Sequence, residues 1–393
     1  MWCLTKPQTA SADGTPREWH VRTSAAIRIQ GALEALNGVC PYYTMFPLEF
    51  PMRALRRSGS VKGWVLDPFC GRGTTTFAAR LRGLPTLGID SNPVAVAIAA
   101  AKLCDVTPGA IIDEALAILG ASNGDPEIPS TVFWRYAYAP RTLRQICILR
   151  EVLRKSSGND TRIALRAIVL GALHGPRGKT SPSYFSNQCP RTFAPKPDYA
   201  VSFWRRYKLR PVEVDIMRII AERAIRYYGT RVRRARGRVV LADSCSRRPF
   251  GKRRCFAWVV TSPPFYGLRT YMQDQWLRNW FLGGSPAVDY RLGAQLEHTD
   301  PIGFADQLRA VWQNAAAVSV NGARLVCRFG QIGDRPVHPI DLMRVSLVGS
   351  GWNLYTIRPA GTARDGRRQA MQFGTSTTKP RNEYDFYAAL STS

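Results

Sequence analysis

The chain predicts an α/β domain: a mostly parallel sheet with helices on both faces. Three observations point to it. Short apolar runs alternate with segments of helical composition, first in the region 23–125 and again over 236–393, as strand–helix–strand crossovers require. The first of these strands opens into a glycine-punctuated turn, "DPFCGRGTT", ahead of a helix. A later strand ends in Ser-Pro-Pro-Phe, which cannot continue a ladder because proline has no amide donor. Between the two blocks, residues 126–235 change character and read as a mainly helical, basic insertion.

Taken in order, residues 1–22 are mixed and polar, the composition of a mobile N-terminal arm, and Thr23–Leu36 has a helical pattern. Cys40–Arg57 is a proline-punctuated aromatic cluster leading into a short helix. Trp64–Leu66 and Thr86–Ile89 are short strands, with Thr74–Leu81 as the helix between them and Pro93–Leu103, rich in alanine, as the helix after. An Asn/Gly/Asp/Pro cluster near Gly124 marks a boundary. In the insertion, helices are expected over Pro140–Lys155, Thr161–Leu173 and Val212–Tyr228, with a long irregular stretch from His174 to Pro211. Strands follow at Arg238–Ser244 and from Ala257 into Ser-Pro-Pro-Phe. A helix over Gly303–Val318, a strand over Arg324–Gly330 and a helix around Pro339–Leu347 come next, then strands at Leu354–Pro359 and Tyr384–Leu390.

The 393 residues hold 55 Lys and Arg against 28 Asp and Glu, a net charge of +27. An excess of this size implies a polyanionic partner, most often nucleic acid, bound through neutralised phosphates and released counterions. The bland alternative is a generally basic proteome or association with ribosomes. No window approaches the apolar length of a membrane span, and the N-terminus lacks the apolar centre of a secretory signal. Nine scattered cysteines without a Cys-x-x-Cys pair predict reduced thiols, and four widely separated histidines predict no metal site. Both suit a cytoplasmic protein.

The glycine-rich unit carries the first chemistry. A turn of this kind lets backbone approach a ligand closely, and the helix after it offers free amide donors. An acidic residue ending the second strand, Asp90, can accept both hydroxyls of a ribose. There is no Gly-Lys-Ser/Thr phosphate loop, and Thr76 stands where a dinucleotide fingerprint has its third glycine. Asp67, just before the turn, would repel a polyphosphate but suits an ammonium group. A nucleoside carrying a cationic amino acid, S-adenosylmethionine, fits both charges.

Ser262, Pro263, Pro264 and Phe265 carry the second. Two prolines directly after an apolar strand force the backbone out of the sheet in a rigid extended form. This exposes the Ser262 hydroxyl and nearby carbonyls as acceptors at the carboxyl edge of the sheet, where open α/β sheets bind ligands. Phe265 adds a flat apolar face. A base stacked on that ring could donate its amino hydrogens to the Ser262 region, lose conjugation, and present a nitrogen lone pair to a methyl sulfonium. Alone, Ser-Pro-Pro-Phe would be an ordinary turn; its pairing with the glycine-rich unit and with Asp243 at the preceding strand end favours a site.

In the insertion, Arg and Lys are interleaved with Tyr184, Phe185, Phe193, Tyr199, Phe203 and Trp204, and the segment ends in "RVRRARGR". These aromatics could form the subdomain's own core beneath a solvated basic face. The functional reading is phosphate contact and base stacking together, with Arg191, Lys196, Arg205, Arg206, Arg231, Arg233, Arg234 and Arg236, and Arg269 beyond the second motif, as nucleic-acid contacts.

"DPFCGRGTT" with "GIDSNP" and then "TSPPF" resembles the amino-methylating DNA methyltransferases, which methylate cytosine N4 or adenine N6. The resemblance covers roughly 40–125 and 236–393 and implies a class I, Rossmann-like methyltransferase fold with S-adenosylmethionine as cofactor. It implies that Asp67, Phe69, Gly71, Gly73 and Thr74 cradle the methionine part, that Asp90 and Ser91 meet the ribose, and that Asp243 meets the adenine. "YYTMFP" is similar to the family's additional cofactor segment, which assigns Tyr43, Thr44, Phe46 and Pro47 to it. Ser262–Phe265 would hold the target base, and serine in first place is more typical of the N4-cytosine enzymes. The insertion departs from the family: it falls between the ribose and adenine strands, so its role as target-recognition region rests on charge and aromatics. The 5-methylcytosine enzymes use a Pro-Cys nucleophile, whereas Cys189-Pro190 has the reverse order and reads as structural. The expected activity is methylation of cytosine N4 in DNA by a prokaryotic or viral, nucleoid-associated protein, on a base flipped from the duplex or unpaired. A restriction or defence-system partner is compatible with it. The alternatives are adenine-N6 methylation, an RNA or tRNA guanine-N2 methyltransferase, and a non-catalytic DNA-binding subunit on the same fold.

Overall fold

The computed structural model describes residues 31–391, except 32, 43–45, 58–62, 122–124, 156–157, 177–181, 187–193, 268–271, 289–295, 297–299, 331–336 and 363–381. The expected N-terminal arm, most of the helix at Thr23–Leu36, and Cys189 lie outside the described residues; 31–37 is helical where described.

Seven strands form one sheet in the order β3-β2-β1-β4-β5-β7-β6. They are β1 Trp64–Asp67, β2 Thr86–Asp90, β3 Gly237–Leu241, β4 Phe256–Thr261, β5 Ser319–Gly330, β6 Trp352–Thr362 and β7 Asn382–Leu390. Neighbours from β3 to β5 are parallel, while β7 runs antiparallel to both β5 and β6. The sheet is therefore mostly parallel, and its strand order with one reversed strand is that of a class I, Rossmann-like methyltransferase. Alternation along each strand splits the core between two faces. Val65 and Val260 pack with α1 (Glu49–Ala54) and α2 (Thr74–Leu81). Leu66 and Val259 pack under α11 (Pro301–Val318) and α12 (Pro339–Leu347), once the helices between are counted.

Those intermediate helices are α3 Pro93–Ala101, α4 Pro108–Gly120, α5 Val132–Ala137, α6 Pro140–Leu153, α7 Asp160–Ala172, α8 Pro197–Arg206, α9 Ile216–Tyr228 and α10 Trp276–Phe281. Four of them, α4, α5, α8 and α10, are not among the helices the sequence predicts. α8 lies within the stretch read as irregular: Pro197 sits in its first turn, Asp198 complements the N-terminal dipole, and Arg205 and Arg206 complement the C-terminal one. α5 is a short helix that no proline or glycine announced. The insertion's helices pack on α3 and α4 in one continuous core, which includes Ile98, Ile111, Ile146, Leu165 and Ile220. Trp204 and Phe185 belong to this core, and Tyr184 is buried beside it, whereas Tyr199 and Phe203 are exposed.

Candidate active site

The turn after β1 is built by two glycines in left-handed backbone, Gly71 (φ 49°) and Gly73 (φ 78°). A Cβ on Gly73 would lie 2.6 Å from Ala99 Cβ, so its absence lets α3 press against the turn. A Cβ on Gly71 would meet nothing within 4 Å, so on that side the turn faces open space. The Gly71 amide donates to Asp90 Oδ2 at 2.8 Å and the Asn92 amide to Asp90 Oδ1 at 2.8 Å, which fixes the carboxylate at the end of β2 against the turn. Each oxygen keeps a further lone pair for a ligand hydroxyl. Burial raises the Asp90 carboxyl above its ordinary value, and the two amides pull the other way.

Asp67 ends β1 fully buried. Its Oδ1 accepts from the Thr261 hydroxyl at 2.6 Å and from the Phe69 amide at 3.2 Å, while Oδ2 has no donor in hydrogen-bonding geometry. Desolvation pushes its carboxyl up to about 7, against the lowering effect of the Thr261, Thr75 and Phe69 groups. A buried carboxylate oxygen lacking a donor, beside a turn open on its outer side, fits a cationic ammonium group.

Of the other expected cofactor residues, Thr74 is buried at the start of α2 and Phe69 is held edge-on to Trp312 at 6.3 Å. Ser91 is exposed beside Asp90. Asp243 is exposed just beyond β3 and accepts from the Cys245 amide at 2.9 Å. Phe46 packs edge-on against Phe50 at 5.2 Å ahead of α1, Pro47 is exposed, and Tyr43 and Thr44 lie outside the described residues.

β4 lies next to β1, so Ser262–Phe265 emerge at the same sheet edge as Asp67. Pro263 is buried, and Ser262, Pro264 and Phe265 are half-buried. The Phe265 ring meets Phe329 edge-on at 5.6 Å, and Phe329 in turn stacks on Phe304 at 6.1 Å. A Cβ on Gly330 would lie 2.9 Å from Phe265 Cε2, so this glycine makes room for the ring.

Not every predicted residue reaches this edge. Arg231, Arg233, Arg234 and Arg236 precede β3, and Gly237 pairs with Thr86 at the start of β2, so the cluster sits at the amino edge of the sheet, opposite Asp90. Buried Arg80 holds that segment by donating to the carbonyls of Val232 and Arg233, as well as to those of Lys102 and Cys104. Lys196, Arg205 and Arg206 are exposed on and beside α8; Arg191 and Arg269 lie outside the described residues.

Several residues at the site escaped sequence reasoning. Thr261 links the two motifs, and its only sequence signal is its place directly before Ser262. Asn92 caps α3 by accepting from Val94 N and also donates to the Tyr42 hydroxyl at 2.9 Å, tying the "YYTMFP" segment to the ribose strand. Arg72 lies buried within the turn and donates to the Asn37 carbonyl. Buried Arg278 donates to the carbonyls of Pro41 (2.9 Å) and Leu170 (3.2 Å), joining α10 to the N-terminal segment and to the insertion.

Residues 19–101 match the family model described as DNA methylase, in the amino-methylating N6/N4 class. No curated protein matches the chain. Among solved structures, an S-adenosylmethionine-dependent methyltransferase from Methanosarcina mazei is 9% identical, covering 89% of this chain and 99% of its own, at a TM-score of 0.35. The rRNA methyltransferase aviRa from Streptomyces viridochromogenes is 14% identical over 94% of this chain and 95% of its own, at 0.36. TrmN from Thermus thermophilus is 11% identical over 92% of this chain and 52% of its own, at 0.35. No helix among the described residues is long and apolar enough to cross a membrane. Residues 19–101, which hold the glycine-rich turn and Asp90, are thus similar to the amino-methylating DNA methylases, and the strand order of the sheet is that of the class I methyltransferases, whose cofactor is S-adenosylmethionine.

Proposed function

We propose that the protein methylates an exocyclic amino group in DNA, cytosine N4 ahead of adenine N6. The observation that carries this reading is the Thr261–Asp67 hydrogen bond, which sets Ser262–Phe265 directly beside the open glycine turn. Bound at that turn, S-adenosylmethionine supplies a methyl group activated by its sulfonium. Asp67 Oδ2 would hold the ammonium group and Asp90 the ribose hydroxyls. A base must leave the stack to reach Phe265, at a cost of a few kcal/mol. Stacked on that ring, its amino group donates to Ser262 Oγ and the carbonyls of the turn. These acceptors draw the N–H bonds away from the ring plane and localise the nitrogen lone pair; once the N–C bond has formed and the C–S bond has broken, the acidic methylated amino group loses its proton to water. Serine in first place supports cytosine N4 over adenine N6.

The reading includes phosphate contacts from Lys196, Arg205 and Arg206, in a cytoplasmic protein acting near DNA. The test is mass spectrometry of nucleosides from unmodified DNA treated with the protein and cofactor. N4-methylcytosine is expected. N6-methyladenine would shift the base while keeping the chemistry, and methyl on RNA guanine N2, or none at all, would overturn the proposal.

A further inference from the structure

α8 presents three aromatic rings to solvent at successive turns of one face: Tyr199 is 72% exposed, Phe203 41% and Tyr207, just past the helix, 56%. Phe203 and Tyr207 lie 4.6 Å apart, and the Arg206 guanidinium is 5.7 Å from the Tyr207 ring, so the stripe is one continuous surface. Its opposite face is fixed: buried Trp204 packs against Phe133 at 5.5 Å, which packs against Trp276 at 4.9 Å. An exposed aromatic patch on a rigid element marks a contact site.

The charges around it select the partner. Arg205 and Arg210 are held over Tyr136, at 5.8 and 5.1 Å, and Tyr136 stacks on Trp204. Lys208 has left-handed backbone (φ 52°), which an L side chain rarely adopts; the Leu209 amide donates to the Trp204 carbonyl at 2.8 Å to close the helix there. A lysine at a position that favours glycine sets a cation beside Tyr207. Among the described residues no ion pair to a carboxylate involves these cations. Cations alternating with open rings suit a polyanion whose own flat groups are unstacked. Duplex bases already cover each other's faces and cannot lie on such rings.

The patch is also tied to the catalytic segment. Just before α8, the Ala194 amide donates to the Asp274 carbonyl at 2.8 Å, and the Pro195 carbonyl accepts from Trp276 Nε1 at 3.1 Å. Both partners lie on the chain shortly after Ser262–Phe265.

We infer that the Tyr199–Phe203–Tyr207 face of α8 is a stacking platform for unpaired DNA, and that the strand it holds is the one carrying the target base. The inference rests on the proposed DNA substrate. Fluorescence anisotropy with one labelled DNA oligonucleotide, single-stranded and as duplex, and with a single-stranded RNA oligonucleotide of the same sequence, tests it on the full chain. The Y199A/F203A/Y207A variant should lose roughly tenfold or more in single-strand affinity, with duplex affinity changed less than about threefold. If that variant melts earlier than the parent, Tyr199→Ala alone, at the most exposed ring, should show the same selectivity to a smaller degree. Unchanged single-strand binding, equal losses on both substrates, or tighter binding of the RNA oligonucleotide than of the DNA one by the parent would each overturn the platform. Nucleoside mass spectrometry on the parent separates the two ideas. Selective loss with no methylated base would leave the platform standing and sink the reaction, whereas methylation with no selective loss would do the reverse.

Discussion

The Thr261 hydroxyl donates to Asp67 Oδ1 at 2.6 Å, joining two motifs 194 residues apart in the chain. It binds the last residue of β4 to the last residue of β1 at the point where both strands open into the site. Thr261→Val keeps the shape and removes the donor. Asp67 would then be a buried carboxylate left with the Phe69 amide and the nearby Thr75 hydroxyl, and stability should fall by about 1–3 kcal/mol. Cofactor affinity should fall as well, because the carboxyl would ionise less readily. Thermal melting and calorimetry on the same preparation check this; an unchanged melting temperature would refute it.

Asp67 also makes cofactor binding pH-dependent. Its folded pKa of about 7 lies above that of an unfolded carboxyl. The free protein therefore gains stability from the protonated form at low pH and loses it as pH rises toward and through about 7. An ammonium ligand needs the ionised form. Affinity should rise roughly fivefold from pH 6 to 7 as the ionised fraction grows from about a tenth to a half. Binding near pH 6.5 should release a proton, measurable by calorimetry in buffers of different ionisation enthalpy.

Asp90→Ala removes the acceptor proposed for two ribose hydroxyls and also leaves the Gly71 and Asn92 amides without their partner. Charge-assisted hydrogen bonds contribute about 1.5–3 kcal/mol, so cofactor affinity should drop by roughly ten- to a hundredfold. Unchanged affinity in a folded variant, by calorimetry, would remove Asp90 from the cofactor site.

Phe265→Ala should depress methyl transfer far more than cofactor binding. Stacking on an aromatic ring contributes about 1–3 kcal/mol per base, and misplacement of the reacting nitrogen by about 1 Å costs on the order of a hundredfold. Ser262→Ala should be milder if the carbonyls of the turn carry most contacts to the amino group. Single-turnover methylation, with cofactor affinity measured separately, distinguishes these roles; full activity in Phe265→Ala would end the stacking assignment.

Arg80→Met tests the frame that holds β3. Its guanidinium donates to four carbonyls on two segments, and the side chain is 2% exposed. Methionine fills much of the volume but leaves those carbonyls without a donor, which should cost about 3–5 kcal/mol, within the range for broken buried charge networks. Chemical denaturation reads the loss directly; a change under 1 kcal/mol would show that the segment at 231–236 finds other partners.

By itself the sequence determined what is local. The glycine turn at 71–73, the carboxylate of Asp90 closing a short apolar strand, and the exit of the chain from the sheet at Pro263–Pro264 each follow from the conformations a few neighbouring residues allow. The alternation of strands and helices was equally legible, because each apolar run must bury its own face. Only the tertiary structure decided what depends on which surfaces meet. Interleaved aromatics look alike in a sequence, yet Trp204 and Phe185 fill a core shared with α3 and α4, while Tyr199 and Phe203 face solvent on the same insertion. α8 formed inside a stretch rich in turn residues because Ala200, Val201 and Trp204 found that core. The arginines before β3 look like the rest of the basic surface, but strand direction sends them to the edge away from Asp90. Thr261 stands inside "TSPPF", Asn92 inside "GIDSNP" and Arg278 in no motif, yet the contacts of all three were illegible, since their partners lie 194, 50 and 237 residues away and no spacing along the chain encodes a contact closed by packing.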